Sequence, residues 1–283
     1  MDMRKFAAAL LLICSLPVAA QINSTLFTDP PVDVKSPAAN VEVAIPSHGE
    51  KLIGRMLLAV GDRPHPTAVM LHGFPGYEQN EDIAQALRRG GWNVLMAHYR
   101  GSWGTGGEFS FTHAIEDADA MVAFALHADA KFHVNAKQVV VIGHSMGGFL
   151  AVQTMAHRPK LLAAIVISGA NPAVDADGYT VKADPADFLP LKGCTASTLA
   201  AEIAANKAAW MPALEVPKIA PRPVLVVSAE DGLQKENEAL ADALKKAGGV
   251  KTLYIHMRTD HAFATRRVAL TSLVVDWLAR LVR

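Results

Sequence analysis

The chain has 283 residues, 51% of them hydrophobic, and its 27 basic and 27 acidic side chains give a formal net charge of zero. That is enough for one large core, and about 200–250 residues is usual for a single α/β domain. Neutrality without any Lys/Arg-rich run leaves no electrostatic footprint for nucleic acid or an anionic membrane, which argues against both as partners.

Residues 1–20 read as an export signal. Arg4 and Lys5 precede the apolar run Phe6 to Ile13, and Val18-Ala19-Ala20 supplies small residues before a cut ahead of Gln21. The apolar run is short and Pro17 interrupts it, which disfavours a spanning helix. The expectation is a secreted or periplasmic mature chain without stable membrane insertion. Cys14 leaves with the signal, so Cys194 stands alone and no internal disulfide can form. Nothing around Cys194 resembles a cysteine-protease signature, and a packing role is expected for it. Residues 21–38 contain Pro30, Pro31 and Pro37 without any period and read as a linker into a domain spanning 39–283.

Val41 to Ile45 alternates as a half-buried strand does, and Lys51 to Val60 continues it after a turn at Ser47-His48-Gly49, which predicts an antiparallel hairpin at a sheet edge. Thr67 to Leu71 is a fully apolar strand that runs into His72-Gly73-Phe74-Pro75-Gly76. A strand–helix rhythm follows: a helix at Asn80–Arg89, a strand at Trp92–Ala97, a helix at Ala114–Ala128 and the strand Val139–Ile142. Continuous apolar strands between amphipathic helices predict a mostly parallel sheet covered on both faces. After a strand at Leu162–Ile167 the rhythm breaks over about 172–219, where Thr195–Trp210 reads as one helix. An insertion there is either a cap over the strand ends or a packed surface helix with loops. The chain closes with a strand at Pro223–Val227, a helix at Lys235–Lys246, a strand at Thr252–His256 and a helix over 264–281.

The chemistry centres on Gly143-His144-Ser145-Met146-Gly147, a G-x-S-x-G that follows an apolar strand and opens a helix. Such a turn exposes the central serine at the sheet edge. A serine hydroxyl then needs a base, a group that orients the base, and donors for the developing oxyanion. His256 and His261 are the histidines beyond the next plausible acid. His256 falls within the last strand, whereas His261 lies just past its end, on the rim where Ser145 stands, and is preferred. Glu230 and Asp231 follow the preceding strand. Asp231 is preferred because Gly232 permits the tight turn and the shorter carboxylate loses less freedom, while Asp260 is read as a turn former. The N–H of Met146 at a helix start and that of Phe74 in the early loop are the expected oxyanion donors. His72 and His144 are expected to pack the loop and the elbow, and the Gly101–Gly107 loop with Arg100 and Trp103 to line or buttress the pocket. No H-E-x-x-H, paired C-x-x-C or G-x-x-x-x-G-K-[ST] is present, so neither a metal nor a cofactor is expected.

From about Val41 onward the chain resembles the α/β-hydrolases. The tracts that carry the likeness, in order, are His72–Gly76, Tyr99-Arg100-Gly101-Ser102, Gly143–Gly148, Ser228-Ala229-Glu230-Asp231 and Asp260-His261-Ala262-Phe263. Within that superfamily it is most similar to dienelactone-hydrolase-like esterases and to prolyl-oligopeptidase-type catalytic domains, although residue 228 is Ser where many relatives have Gly. The resemblance implies the α/β-hydrolase fold, a triad of Ser145, Asp231 and His261, and an oxyanion hole at Phe74 and Met146. The expected activity is that of an exported serine hydrolase working through an acyl-enzyme on a small ester or short peptide. A carboxylic ester hydrolase is the first expectation and a peptidase or aminoacyl amidase the second. A binding protein of the same fold without turnover is the third.

Overall fold

One sheet of eight strands organises the chain: β1 (Ala39–Ser47), β2 (Glu50–Leu58), β3 (His65–Leu71), β4 (Asn93–Ala97), β5 (Val134–His144), β6 (Ala163–Ile167), β7 (Val224–Ser228) and β8 (Thr252–His256). The structure is a computed structural model that describes residues 24–282, so the expected export signal at 1–20 lies outside the described residues. The helices are α1 (Glu81–Arg89), α2 (Phe111–Leu126), α3 (Met146–His157), α4 (Ala176–Tyr179), α5 (Ala196–Asn206), α6 (Pro212–Ile219), α7 (Gln234–Lys246) and α8 (Arg267–Leu281). In space the strands run β1-β2-β4-β3-β5-β6-β7-β8. Strand β2 is antiparallel to both its neighbours, and the other pairings are parallel.

This order follows from the burial each strand can support. The edge strand β1 alternates exposed and covered positions, while β4, β6 and β7 are buried at every residue, as strands sandwiched between helical layers must be. Successive side chains point to opposite faces. Val139 and Val141 therefore join the core with α2 and α3, and Val140 and Ile142 join the one with α1 and α8. Both faces of β5 are filled, which fixes where its last residue can deliver Ser145.

Two of the differences from the sequence pattern have a physical reason. Helix α2 begins earlier than expected, at Phe111, because the Ser110 side chain caps it by accepting from the His113 N–H at 3.0 Å. The expected helix over Thr195–Trp210 is α5, which ends at Asn206, and a separate helix α6 follows it. Pro212 opens α6 at a position where a missing N–H costs nothing. Part of the expected linker is held to the body: Arg89 donates to the carbonyls of Thr25 (2.6 Å) and Leu26 (3.0 Å). Among the described residues no helix is long and apolar enough to cross a membrane.

Candidate active site

Ser145 sits between β5 and α3 with φ 56° and ψ −125°, a conformation that L-residues other than glycine adopt only where the surroundings enforce it. Its N–H donates to the Ile167 carbonyl at 3.0 Å, and its own carbonyl accepts from Gly148 (2.8 Å) and Ala170 (3.0 Å). The flanking glycines are steric necessities: a Cβ on Gly143 would lie 1.8 Å from the Gly147 oxygen, and one on Gly147 would lie 2.0 Å from the Leu71 oxygen. Gly73 passes so close to Ser145 that a Cβ there would stand 2.9 Å from Ser145 Cβ.

The loop after β3 is held by buried donors. His72 Nδ1 donates to the Gly73 carbonyl (2.8 Å), the Tyr99 hydroxyl to the His72 carbonyl (3.0 Å) and Trp103 Nε1 to the Pro75 carbonyl (2.8 Å). With Nδ1 as donor, His72 Nε2 is an acceptor and faces His98 Nδ1 at 3.4 Å. Burial lowers the His72 pKa to about 4, so the ring stays neutral. Among the described residues the N–H groups of Phe74 and Met146 have no hydrogen-bond acceptor. Trp103 thus buttresses this loop, while Arg100 is anchored by the fully buried Asp117, which accepts from Arg100 N and Nε, each at 2.7 Å.

Asp231 follows β7 and His261 follows β8, and the two meet: His261 Nδ1 lies 2.7 Å from Asp231 Oδ2. The same oxygen accepts from Ser168 Oγ at 2.5 Å, and Oδ1 accepts from the Leu233 N–H at 3.0 Å. Burial works to raise the Asp231 pKa, but the donors from His261, Ser168 and Leu233 outweigh it and hold the carboxyl below its ordinary range. The alternatives lie elsewhere. Glu230 is exposed, and its N–H donates to the Thr259 carbonyl. Asp260 Oδ1 accepts from Ala264 N at 2.7 Å, and His256 Nδ1 meets Ser228 Oγ at 3.0 Å. Burial pushes the Cys194 thiol up to about 11, the opposite of nucleophile activation. The described residues contain no group of three or more His, Cys, Asp or Glu placed to hold a metal ion.

Ser168 and Tyr179 have no local signal in the sequence, and His144, expected only to pack the elbow, does more. His144 Nε2 donates to the His261 carbonyl at 2.9 Å, with the two rings 4.7 Å apart, so the elbow itself holds the His261 loop. Ser168 reaches Asp231 from the end of β6. Tyr179, in the insertion, donates its hydroxyl to the Ala170 carbonyl at 2.7 Å, and the Ala170 N–H donates to the Ser145 carbonyl at 3.0 Å. No hydrogen bond joins Ser145 to His261 in this arrangement. The insertion crosses the neighbouring loops. Trp103 N donates to the Pro190 carbonyl, Lys192 N to the Gly101 carbonyl and Phe109 N to the Lys192 carbonyl, while Glu202 accepts from the N–H groups of Phe111 and Thr112 at the start of α2. Its last helix, α6, packs instead on α3 and α7.

The profile of the prolyl oligopeptidase family matches residues 79–283, most of the chain and all of the segment carrying Ser145, Asp231 and His261. The chain belongs to the prolyl oligopeptidase family. Membership makes it a serine hydrolase of the α/β-hydrolase fold. A second similarity is to the sn-1-specific diacylglycerol lipase ABHD11 of Xenopus tropicalis, 35% identical over 119 residues, which are 40% of this chain and 34% of that protein. The chain thus spans about a third of that relative. Among solved structures, the Pyrobaculum calidifontis esterase superposes with a TM-score of 0.67 at 20% identity, covering 88% of each chain. Est1E of Butyrivibrio proteoclasticus, with ferulic acid bound, gives 0.70 at 18%, covering 85% of this chain and 99% of its own. The Pyrococcus horikoshii acylaminoacyl peptidase gives 0.66 at 16%, covering 86% of this family member and 42% of the peptidase. These likenesses establish the fold of the present prolyl oligopeptidase family member.

Proposed function

We propose that Ser145 is the nucleophile, His261 the general base and acid, and Asp231 the residue that orients His261, in an exported hydrolase of carboxylic esters. The observation that carries the reading is the 2.7 Å contact between His261 Nδ1 and Asp231 Oδ2 on the rim that also holds the strained Ser145 turn. Asp231 fixes the His261 tautomer with Nδ1 protonated, which leaves Nε2 free to accept the Ser145 proton. Attack on an acyl carbonyl then creates an oxyanion that the N–H groups of Phe74 and Met146 receive, the latter at the positive end of α3. His261 returns the proton to the departing alcohol, and water repeats the cycle to release the acid.

Esters come first because the superposing structures include esterases that match over nearly their whole length. Hydrolysis of peptides or aminoacyl amides is the second reading, favoured by the family match itself. The deciding experiment measures kcat/KM for a graded series of nitrophenyl acyl esters and for matched aminoacyl nitroanilides, with Ser145→Ala as the blank. Ester turnover that the blank lacks is the expected result, preferred anilides transfer the assignment to the second reading, and undiminished hydrolysis by the blank overturns the mechanism. Export is tested separately by sequencing the N-terminus of the chain recovered outside the cytoplasm, where Gln21 is the expected first residue.

A further inference from the structure

We propose that the cavity between α3, α6 and α7 binds a small apolar amine as its cation, with the ring or alkyl body inside and the ammonium on Glu236. The proposal is independent of the reading of Ser145, because none of Ser145, Asp231, His261, Phe74 and Met146 lines this cavity. Its volume is about 270 Å³, and its apolar walls come from Phe149 and Val152 of α3, Val166 of β6, Leu240 of α7 and Met211 at the start of α6. Met211 and Val174, which also line it, are 37% and 50% exposed, so the cavity opens to solvent. A dry cavity of about 150 Å³ accepts benzene, and pockets for drug-sized molecules begin at about 300 Å³. The space therefore suits one ring, or a short alkyl chain, carrying a polar head.

The polar side chains on the wall decide what that head must be. They are Asn171, Glu236 and Asn237. Asn237 Oδ1 accepts from the Gly169 N–H at 2.9 Å, and its Nδ2 donates to the carbonyls of Gly169 (3.0 Å) and Leu233 (2.9 Å). Asn171 Nδ2 donates to the Trp210 carbonyl and its Oδ1 accepts from the Ala173 N–H, each at 2.8 Å. Both amides are thus engaged within the fold. Glu236 is different: its Oε1 accepts from the Asn171 N–H at 2.9 Å, whereas among the described residues its Oε2 accepts nothing. A carboxylate has acceptor capacity at both oxygens, and an ionised one against an apolar wall is costly unless it is paired. Among the described residues no cation pairs with it, and the charges that act on it, those of Asp175 and Asp231, are both negative. A ligand that supplies an N–H donor and a positive charge meets both needs, and an anionic one is repelled. Glu236 is raised to about 7, so it is ionised at pH 8, where a primary amine is still protonated.

Calorimetric titration at pH 8 with 2-phenylethylammonium and with its neutral counterpart 2-phenylethanol tests this on the wild-type chain, Glu236→Gln and Ala239→Trp. Ala239 lines the cavity and is exposed, so an indole there blocks the space without entering the core, and urea midpoints confirm that both variants are folded. The wild type is expected to bind the ammonium at least about tenfold more tightly than the alcohol, the scale of one charge-assisted hydrogen bond. In Glu236→Gln that preference should vanish while the alcohol still binds, and Ala239→Trp should bind neither. Equal affinity for the two probes in the wild type overturns the role of Glu236. A preference that survives Glu236→Gln, binding that survives Ala239→Trp, or a wild type that takes up no ammonium at millimolar concentration overturns the site itself.

Discussion

Ser168 and His261 donate to the same oxygen of Asp231, at 2.5 and 2.7 Å, so the carboxylate that meets His261 is itself held by a hydroxyl from the neighbouring strand end. Ser168 follows β6 at φ 42° and is fully buried. In the mechanism proposed above it keeps Asp231 ionised and aimed and does not touch substrate.

Ser168→Ala is therefore expected to lower kcat by about tenfold, the scale of a lost hydrogen bond to a charged group, with KM little changed. Without that donor the Asp231 pKa rises, because burial is then less well opposed, and the acid limb of the kcat profile moves to higher pH. Steady-state kinetics across pH on a nitrophenyl ester decides it. An unaltered kcat and acid limb would reduce Ser168 to packing.

How much of this was readable from the chain depends on the range of the interaction. The parallel strands are legible because burial on both faces demands continuous apolar runs, and the β1–β2 hairpin because one exposed face imposes alternation. The elbow is legible because G-x-S-x-G is a compact pattern after an apolar strand, although only Gly143 is required by a neighbour in sequence, Gly147, and Gly147 itself is required by Leu71 of β3. Helix α6 was hidden by Pro212 and Pro217, which signal a break unless the first already stands at a helix start. Ser168 and Asp117 were hidden for a different reason. Each meets its partner only after the sheet has assembled, Ser168 and Asp231 being 63 positions apart, and no local pattern encodes such a meeting.

Asp117→Ala should be the most destabilising of the changes considered. The Asp117 side chain is 0% exposed and that of Arg100 7%, and Ser47 Oγ also donates to this carboxylate at 2.6 Å. Removing the carboxylate strands a buried guanidinium, which typically costs about 3–5 kcal/mol, and Tm should fall by on the order of 10 °C. Calorimetry measures it. A loss under about 1 kcal/mol would mean that Glu116, the other partner of Arg100, suffices to hold the charge.

Acid should destabilise the fold through His72 and His144. Burial is the main cause that lowers both to about 4, against about 6.5 in the unfolded chain. The unfolded state thus takes up protons below pH 6.5 that the folded state refuses until about pH 4. This contribution to stability is complete above pH 6.5 and is lost as pH falls toward 4, at up to about 1.4 kcal/mol per pH unit for each ring. Urea midpoints between pH 7.5 and 4.5 should decline accordingly. His144→Gln, which keeps a donor for the His261 carbonyl, should flatten the slope by close to one proton, and a slope equal to wild type would remove His144 from this account.

Glu236 works in the opposite sense. It lines an apolar cavity of about 270 Å³ with Phe149, Val152 and Leu240, and its Oε1 accepts from the Asn171 N–H at 2.9 Å. Burial, with the charges of Asp175 and Asp231, raises it to about 7 against the pull of that hydrogen bond. A carboxyl raised on folding holds a proton that the unfolded chain has released between about pH 4.5 and 7. Stability from this group therefore grows as pH falls through that window, and above pH 7 its ionised form opposes folding. Glu236→Gln keeps an acceptor for Asn171 and abolishes the charge. At pH 8 it should stabilise the chain by about 1–2 kcal/mol, less than the full shift because the carboxyl is partly hydrated, and at pH 4.5 it should change nothing. Parallel urea titrations at the two pH values measure the difference. Destabilisation at pH 8 would show that the carboxylate is held by favourable contacts, and the cavity wall would then have to be counted as a charged surface.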